Sequence, residues 1–258
     1  VDLIAAEDTR HTGRLLAHHA IQNKLVSYHE HNERERTVQL VNQLKQGAAI
    51  ALATNAGTPS VSDPGYRLVT TAVANGIAVI PIPGVSAAIT ALSVAALPTD
   101  TFIFLGFPPR KNKQRSTLLE DLVTEKRTLV FYDSPRRISA FLKEIRRIMG
   151  DREVVLAREM TKLHEEYLRG PISKVAAELN DRQAIKGECT LLVKGSPAFE
   201  EISKDEIKAV LRQELDASKK GLADLSKAVA KRYGISKKVV YQEALNIKKA
   251  NNDTPGAG

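Results

Sequence analysis

Glu7-Asp8-Thr9-Arg10-His11 gathers five polar residues, four of them ionisable, directly behind an apolar run. At a strand end such a cluster can position a substrate or move a proton. Arg158-Glu159-Met160-Thr161-Lys162, with His164-Glu165-Glu166 after it, repeats the pattern behind a second apolar run. The densest loop signal is Thr54-Asn55-Ala56-Gly57-Thr58-Pro59, followed by Ser62-Asp63-Pro64-Gly65. Gly57 lets backbone approach a ligand, and Asn55 or Thr58 can hydrogen-bond a polar one. Pro83-Gly84-Val85-Ser86-Ala87-Ala88 repeats that arrangement, with Ser86 in front of helix amides that have no intrahelical partner. Each segment also has a plainer reading as a solvated loop, a turn or a capped core helix. No G-x-G-x-x-G or Walker A sequence occurs. His18-His19 and His29-Glu30-His31 lack a further ligand at convincing spacing, so no metal is expected. Cys189 lies in an apolar run and reads as inert core.

Two basic segments suit a polyanion. Arg110-Lys111-Asn112-Lys113-Gln114-Arg115 has four cations and no acid, directly after Phe107-Pro108-Pro109. A flexible basic loop is expected there, with Arg110, Lys111, Lys113 and Arg115 on phosphates. Arg136-Arg137 is a smaller cluster. From Lys227 to Tyr241 the chain reads as a helix-turn-helix. Leu225 and Val229 face inward, Gly234 turns the chain, and Ser236 caps a second helix. That helix keeps Val239 or Val240 inside and shows Lys237 and Lys238 outside. Few base-reading residues lead it, so backbone contact fits better than groove reading, and a plain helical hairpin is the alternative.

The elements that must carry these groups alternate. Strands are expected at Leu3–Ala6, 48–53, 77–82, 128–132, 154–157 and Cys189–Val193. Several are apolar at consecutive positions, the pattern of parallel strands covered on both faces. Helices are expected over 32–46 (Val38, Val41 and Leu44 inward), from Asp63-Pro64 to 75, over 87–96 and over Ile138–Met149. The alternation gives an α/β class. After Gly195-Ser196-Pro197 only helical patterns follow, at 204–216, Leu222–Tyr233 and 237–249, and a disordered tail is expected over 251–258.

Composition sets outer limits. The 258 residues are too many for one small module and suit two, and 43% hydrophobic content excludes wholesale disorder. One cysteine excludes a disulfide framework. The net charge of +8 points to nucleic acid without separating RNA, DNA or an anionic membrane. Within 219–249 nine basic residues meet two acidic ones, so the late helices are the most concentrated basic region. The apolar stretch over 77–98 is broken by Pro81, Pro83, Gly84 and Pro98, so no membrane span is expected. No signal peptide is visible, and the cytoplasm is the default compartment.

Taken together and in order, these motifs resemble the ribosomal RNA small subunit methyltransferase I family, a bacterial branch of the tetrapyrrole methylase superfamily. The carriers are Ala5-Ala6-Glu7-Asp8-Thr9-Arg10, the 55–65 block, Pro83-Gly84-Val85-Ser86-Ala87-Ala88, Phe131-Tyr132-Asp133-Ser134, Ala157-Arg158-Glu159-Met160-Thr161-Lys162 and Lys186-Gly187-Glu188. The resemblance implies two α/β domains with S-adenosylmethionine in the cleft between them, a homodimer, and no metal. It implies domains at 1–105 and 106–197, then a helix-turn-helix-like domain at 198–250. The activity implied is methylation of a cytidine ribose 2′-hydroxyl in the decoding region of 16S rRNA in the small ribosomal subunit.

Carried over by position, Thr54, Asn55, Ala56, Gly57 and Thr58 hold the donor's amino-acid part, and Ser86 and Ala87 form the next donor-contacting turn. Tyr132 and Asp133 line the cleft, and Gly187 and Glu188 lie toward the adenine. For the transfer itself, Asp8, Glu159 or Glu7 would accept the proton, and Arg10 or Lys162 would stabilise the oxyanion. Two departures stand out. Thr54-Asn55 replaces the family's usual Ser-Asp, which removes a negative charge. A first family strand, with a Thr-Pro-Ile-Gly-Asn-type loop, is expected ahead of Leu3 and is absent from this sequence. The rivals are a tetrapyrrole methylase of the same superfamily, a nucleic-acid-binding regulator, and a nucleotide-binding α/β enzyme.

Overall fold

The computed structural model describes residues 1–196, 204–217 and 221–252. The chain divides into two compact units, Val1–Thr90 and Ala91–Gly258.

The first unit is built on three parallel strands in the order β2-β1-β3: β1 Leu3–Ala6, β2 Leu25–Ser27 and β3 Ile50–Ala53. Helices α1 (Thr9–His18), α2 (Glu33–Lys45), α3 (Tyr66–Ala74) and the start of α4 (Ala87–Ser93) accompany them. Its core is small: Ala5, Tyr28, Leu40, Val41 and Leu68. Tyr28 is wholly buried, and its hydroxyl shares a 2.9 Å hydrogen bond with Thr37. Parallel pairing agrees with the sequence pattern, but three details differ. The stretch 77–82 pairs with no strand among the described residues, and its Ile80 and Ile82 are 78% and 82% exposed. Pro81 and Pro83 lack the N–H that a ladder needs there. Helix α3 starts at Tyr66 rather than at Asp63-Pro64, because Gly65, at the N-cap, opens the helix. On α2 the inward positions are Thr37, Leu40 and Val41, with Leu44 packed partly buried against the same core, and Val38 faces solvent.

The second unit carries a five-stranded sheet, β4-β5-β8-β6-β7. Its strands are β4 Phe102–Gly106, β5 Thr128–Asp133, β6 Glu153–Arg158, β7 Glu166–Pro171 and β8 Cys189–Val193. Only β4 and β5 run parallel; β8 pairs antiparallel with both β5 and β6, and β6 with β7. Consecutive burial had suggested a parallel sheet. Here the consecutively buried strands β6 and β8 pair antiparallel. Helices α5 (Asn112–Asp121), α6 (Ile138–Met149) and α7 (Ile172–Asn180) pack their apolar side chains into one core with the strands. Phe131 and Phe141 meet edge-on in it, centroids 5.2 Å apart. Leu105, the expected end of the first domain, falls inside β4. Arg152 is buried and pairs with no carboxylate among the described residues; it donates to the carbonyls of Val123 and Lys194, and burial pulls it down to about 10.

Three further helices form a separate small core: α8 Lys204–Ala217, α9 Leu222–Tyr233 and α10 Lys237–Asn252. Gly234 sits in the left-handed region (φ 62°), where only glycine is free of steric cost, and this gives the turn between α9 and α10. Val240 is the buried residue of the 239–240 pair; Val239 is exposed. Helix α10 runs two residues into the stretch expected to be disordered, and 253–258 lie outside the described residues.

Candidate active site

The three parallel strands of the first unit end at one edge, so the segments behind the strands are brought together there. Ala6, Ser27 and Ala53 are in register. Behind Ala6, Glu7 accepts a 2.9 Å hydrogen bond from the amide of Asn55 and so ties the first cluster to the 54–58 loop. Asp8 caps α1: its Oδ1 accepts from the amides of Arg10 (2.8 Å) and His11 (3.3 Å). Its Oδ2 faces the Arg10 guanidinium at 3.4 Å. The Arg10 side chain and the two amides hold the Asp8 carboxyl below its ordinary range. Arg10 itself is 85% exposed. Residues Asn55 to Thr58 are exposed, and the Thr54 hydroxyl folds back on the carbonyls of Ala56 and Gly57. The Thr58 hydroxyl donates to the carbonyl of Val85 at 3.5 Å, which links the two glycine-containing loops. Ala87 opens α4, and the Ser86 carbonyl accepts from Thr90.

In the second unit one end of the sheet does the same work. Asp133 on β5, Cys189 on β8 and Arg158 on β6 stand in register across it. Glu159, Gly187 and Glu188 adjoin them in the chain. Glu159 has φ 48°, an uncommon conformation for a residue with a Cβ. Its Oε1 accepts from the Glu188 amide (2.9 Å) and from Lys162 Nζ (3.0 Å). Lys162 also reaches Glu188 Oε2 at 3.2 Å. The Glu188 amide, then Lys162, hold the Glu159 carboxyl below the usual carboxylate range, and Glu159 in turn raises Lys162. Gly187 has φ 85°, and a Cβ there would run into the Glu159 side chain. The glycine is therefore what lets the two segments interlock.

Tyr132 lies edge-on to Phe104 and Phe107, at 4.9 and 5.7 Å. Asp133 is 3% exposed. Its Oδ1 accepts from the Ser134 amide (2.8 Å) and pairs with Arg137 at 2.5 Å, while its Oδ2 is buried with no hydrogen-bond partner. Burial pushes the Asp133 carboxyl up. Burial likewise pushes the Cys189 thiol up to about 11, which suits the inert role expected of it.

Sequence reading left Arg137, Arg158, Glu166 and Arg182 without roles. Arg158 is buried and donates to Glu166 Oε2 (2.5 Å) and to the Lys186 carbonyl (2.6 Å), and Arg182 pairs with both Glu166 oxygens. The available signal was a charge closing the apolar run 154–157, because a buried charge needs partners.

Of the basic residues, Arg110, Lys111 and Lys113 are exposed, as are Lys237 and Lys238. The expected loop is not one, since α5 begins at Asn112. Arg115 does not face solvent freely: its Nε pairs with Glu144 at 2.5 Å and its side chain is 15% exposed. A carboxylate from α6 has taken the place assigned to a phosphate.

Residues 1–176 match the family described as Tetrapyrrole (Corrin/Porphyrin) Methylases. A protein of Haemophilus influenzae named ribosomal RNA small subunit methyltransferase I is 44% identical over 95% of this chain and 87% of its own length. One of Halalkalibacterium halodurans with the same name is 50% identical over 76% of this chain and 67% of its own. Among solved structures, the methyltransferase CobJ shares the fold (TM-score 0.57, 16% identity, 78% of this chain and 86% of that one). The chain thus belongs to the tetrapyrrole methylase family, in its ribosomal RNA small subunit methyltransferase I branch.

Proposed function

We propose that the chain transfers a methyl group from S-adenosylmethionine to the ribose 2′-oxygen of a cytidine in the decoding region of 16S rRNA. The observation that carries this is the run of relatives named for the small-subunit reaction, at 40% identity or more over most of the chain. The protein would act as a cytoplasmic homodimer on the small ribosomal subunit.

The residues present suit the donor. Its amino-acid part is zwitterionic, and the first unit's strand edge offers Glu7, the exposed 54–58 loop and the Thr58–Val85 link. In the second unit, Asp133 Oδ2 is a buried acceptor without a hydrogen-bond partner, a match for an amino or hydroxyl donor. Thr54 to Thr58, Ser86 and Ala87 would hold the amino-acid side, and Tyr132, Asp133, Gly187 and Glu188 the nucleoside side. When bound, the donor supplies a methyl group already activated by its positive sulfur.

The protein's part is then alignment and charge control. The 2′-oxygen forms the new O–CH3 bond as the S–CH3 bond breaks, the sulfur leaves with the electron pair as a neutral thioether, and the hydroxyl proton passes to Glu7 or to solvent water. Lys162, kept protonated by Glu159, would stabilise the developing alkoxide, and Arg10 is the alternative candidate for that role. Asp8 and Glu159 are held below the usual carboxylate range and are correspondingly weak bases. Glu159 is therefore best read as a positioning residue for Lys162 and the Gly187 loop. Arg110, Lys111, Lys113, Lys237 and Lys238 would bind phosphates.

The test is methyl transfer to purified small subunits with labelled donor, followed by nucleoside analysis. The expected product is 2′-O-methylcytidine. A methylated base, or transfer only to a tetrapyrrole, overturns the reading.

A further inference from the structure

Helices α5 and α6 pack side by side and leave a cleft of about 340 Å³ between them. It is lined by Asn112, Arg115, Ser116, Lys143, Glu144 and Arg147. Glu144 is the one acid in this lining, and its acceptors are already in use. Its Oε2 takes Arg115 Nε at 2.5 Å and its Oε1 takes the Ser116 hydroxyl at 2.6 Å. Burial alone would raise this carboxyl, but Ser116 and Arg115 outweigh it and hold Glu144 low, so it stays charged and engaged.

That leaves the other two cations largely unspent. Arg147 is 63% exposed and meets Glu144 only loosely, its guanidinium 3.9 Å from Oε1. Lys143, exposed and one helical turn before Arg147, has no ion-pair partner among the described residues. Arg136, exposed in the turn just ahead of α6, adds a further cation to this segment of the chain. Across the cleft, α5 opens behind exposed Arg110 and Lys111 and carries exposed Lys113. Lys111 stands at its N-cap, and no side chain caps its first amides. Two helices therefore present one rim of positive charge around a recess large enough for a phosphate group.

We infer that the α5–α6 cleft is a phosphate subsite for an RNA backbone, with Lys143 and Arg147 as its cations and Arg115–Glu144 as the internal strut that shapes it. An acidic peptide would find the same cations. A neighbouring aromatic residue in the chain favours RNA: Phe107, 56% exposed and edge-on to Tyr132, lies three residues before Arg110 and offers a base a stacking face. The inference rests on the proposed rRNA substrate. It assigns part of the RNA grip to α6, beyond the residues named above.

The experiment is a salt series of binding to small-subunit rRNA, comparing the full chain with Lys143→Gln/Arg147→Gln. Both positions are exposed on a helix, and glutamine keeps helix propensity. Loss of two phosphate contacts lowers the slope of log K against log salt by about 1.4–1.8. Donor affinity and Tm stay unchanged. Lys45→Gln/Lys174→Gln, two exposed lysines elsewhere, controls for net charge and leaves the slope within error. If the parent chain binds and methylates the RNA while the α6 variant keeps its slope, or the control loses as much, the subsite is wrong and the activity stands. If the parent chain neither binds nor methylates rRNA, the proposed function fails and takes the subsite with it.

Discussion

The two sheet ends that carry the candidate groups are held in opposite ways. In the first unit the strands are short, β3 is only partly buried along its whole length, and the loops behind it are exposed. Single hydrogen bonds, Glu7 to Asn55 and Thr58 to Val85, join the pieces. In the second unit β8 is fully buried, and the sheet end is cross-linked by Arg137–Asp133, Arg158–Glu166–Arg182 and Glu159–Lys162–Glu188. Burial makes the difference. Charges removed from water must find partners, and the partners they find fix geometry. The first unit offers adaptable contacts for a ligand to organise, and the second offers contacts already in place.

The largest test of this contrast is packing. Phe131→Ala removes a wholly buried ring and should cost about 3–5 kcal/mol in a denaturant melt, whereas Leu52→Ala on partly buried β3 should cost clearly less. Equal costs would mean the first sheet is as tightly held as the second. Next is charge at the preorganised end. Lys162→Ala should lower kcat by roughly 10²–10³ while leaving donor Kd nearly unchanged, as loss of an oxyanion donor does. A rise in donor Kd with kcat preserved would move Lys162 to donor binding.

Third is the interlock. Gly187→Ala forces a Cβ against Glu159 at φ 85°. Strain of about 1–3 kcal/mol should lower turnover roughly 10- to 100-fold with a smaller change in Tm. The smallest expected effect concerns acid. Arg182, then Arg158, hold Glu166 low, so its contribution is fully present above the ordinary value of 4.5 and fades as pH falls through the depressed one. Glu166→Gln should flatten that limb of a stability–pH curve and cost about 1 kcal/mol at neutral pH, a figure reduced for partial exposure.

Much of this architecture is readable from residue pattern. The three late helices are found within a few residues of their expected places, because Gly234 and the capping and apolar spacing around it are strong local signals. Leu3–Ala6, Cys189–Val193 and Ile138–Met149 are marked by apolar runs and a stop at Gly150. Pairing is the part that the pattern does not carry. A fully buried antiparallel strand and a parallel one have the same composition, so the mixed second sheet is invisible in 154–157. Strands β2, β4 and β7 go unnoticed for a related reason, being short, mixed or partly polar. The site clusters are legible as charge behind apolar runs. Which charge bonds which is not, since Arg115 meets Glu144 across 29 positions and Glu188 meets Glu159 across the same separation.

The place of β8 in its sheet bears on how the chain comes off the ribosome. It lies between β5 and β6, yet among the described residues it is the last of the eight strands to be made. Until Cys189–Val193 emerge, the second unit holds two strand pairs, β4–β5 and β6–β7, each with an apolar open margin and no strand between them. Such margins invite pairing with other chains, so the nascent protein passes through an aggregation-prone stage that ends only with the insertion of one five-residue segment. A message truncated shortly before that segment would yield a product for the cell's chaperones and proteases, even though most of the sequence had been translated.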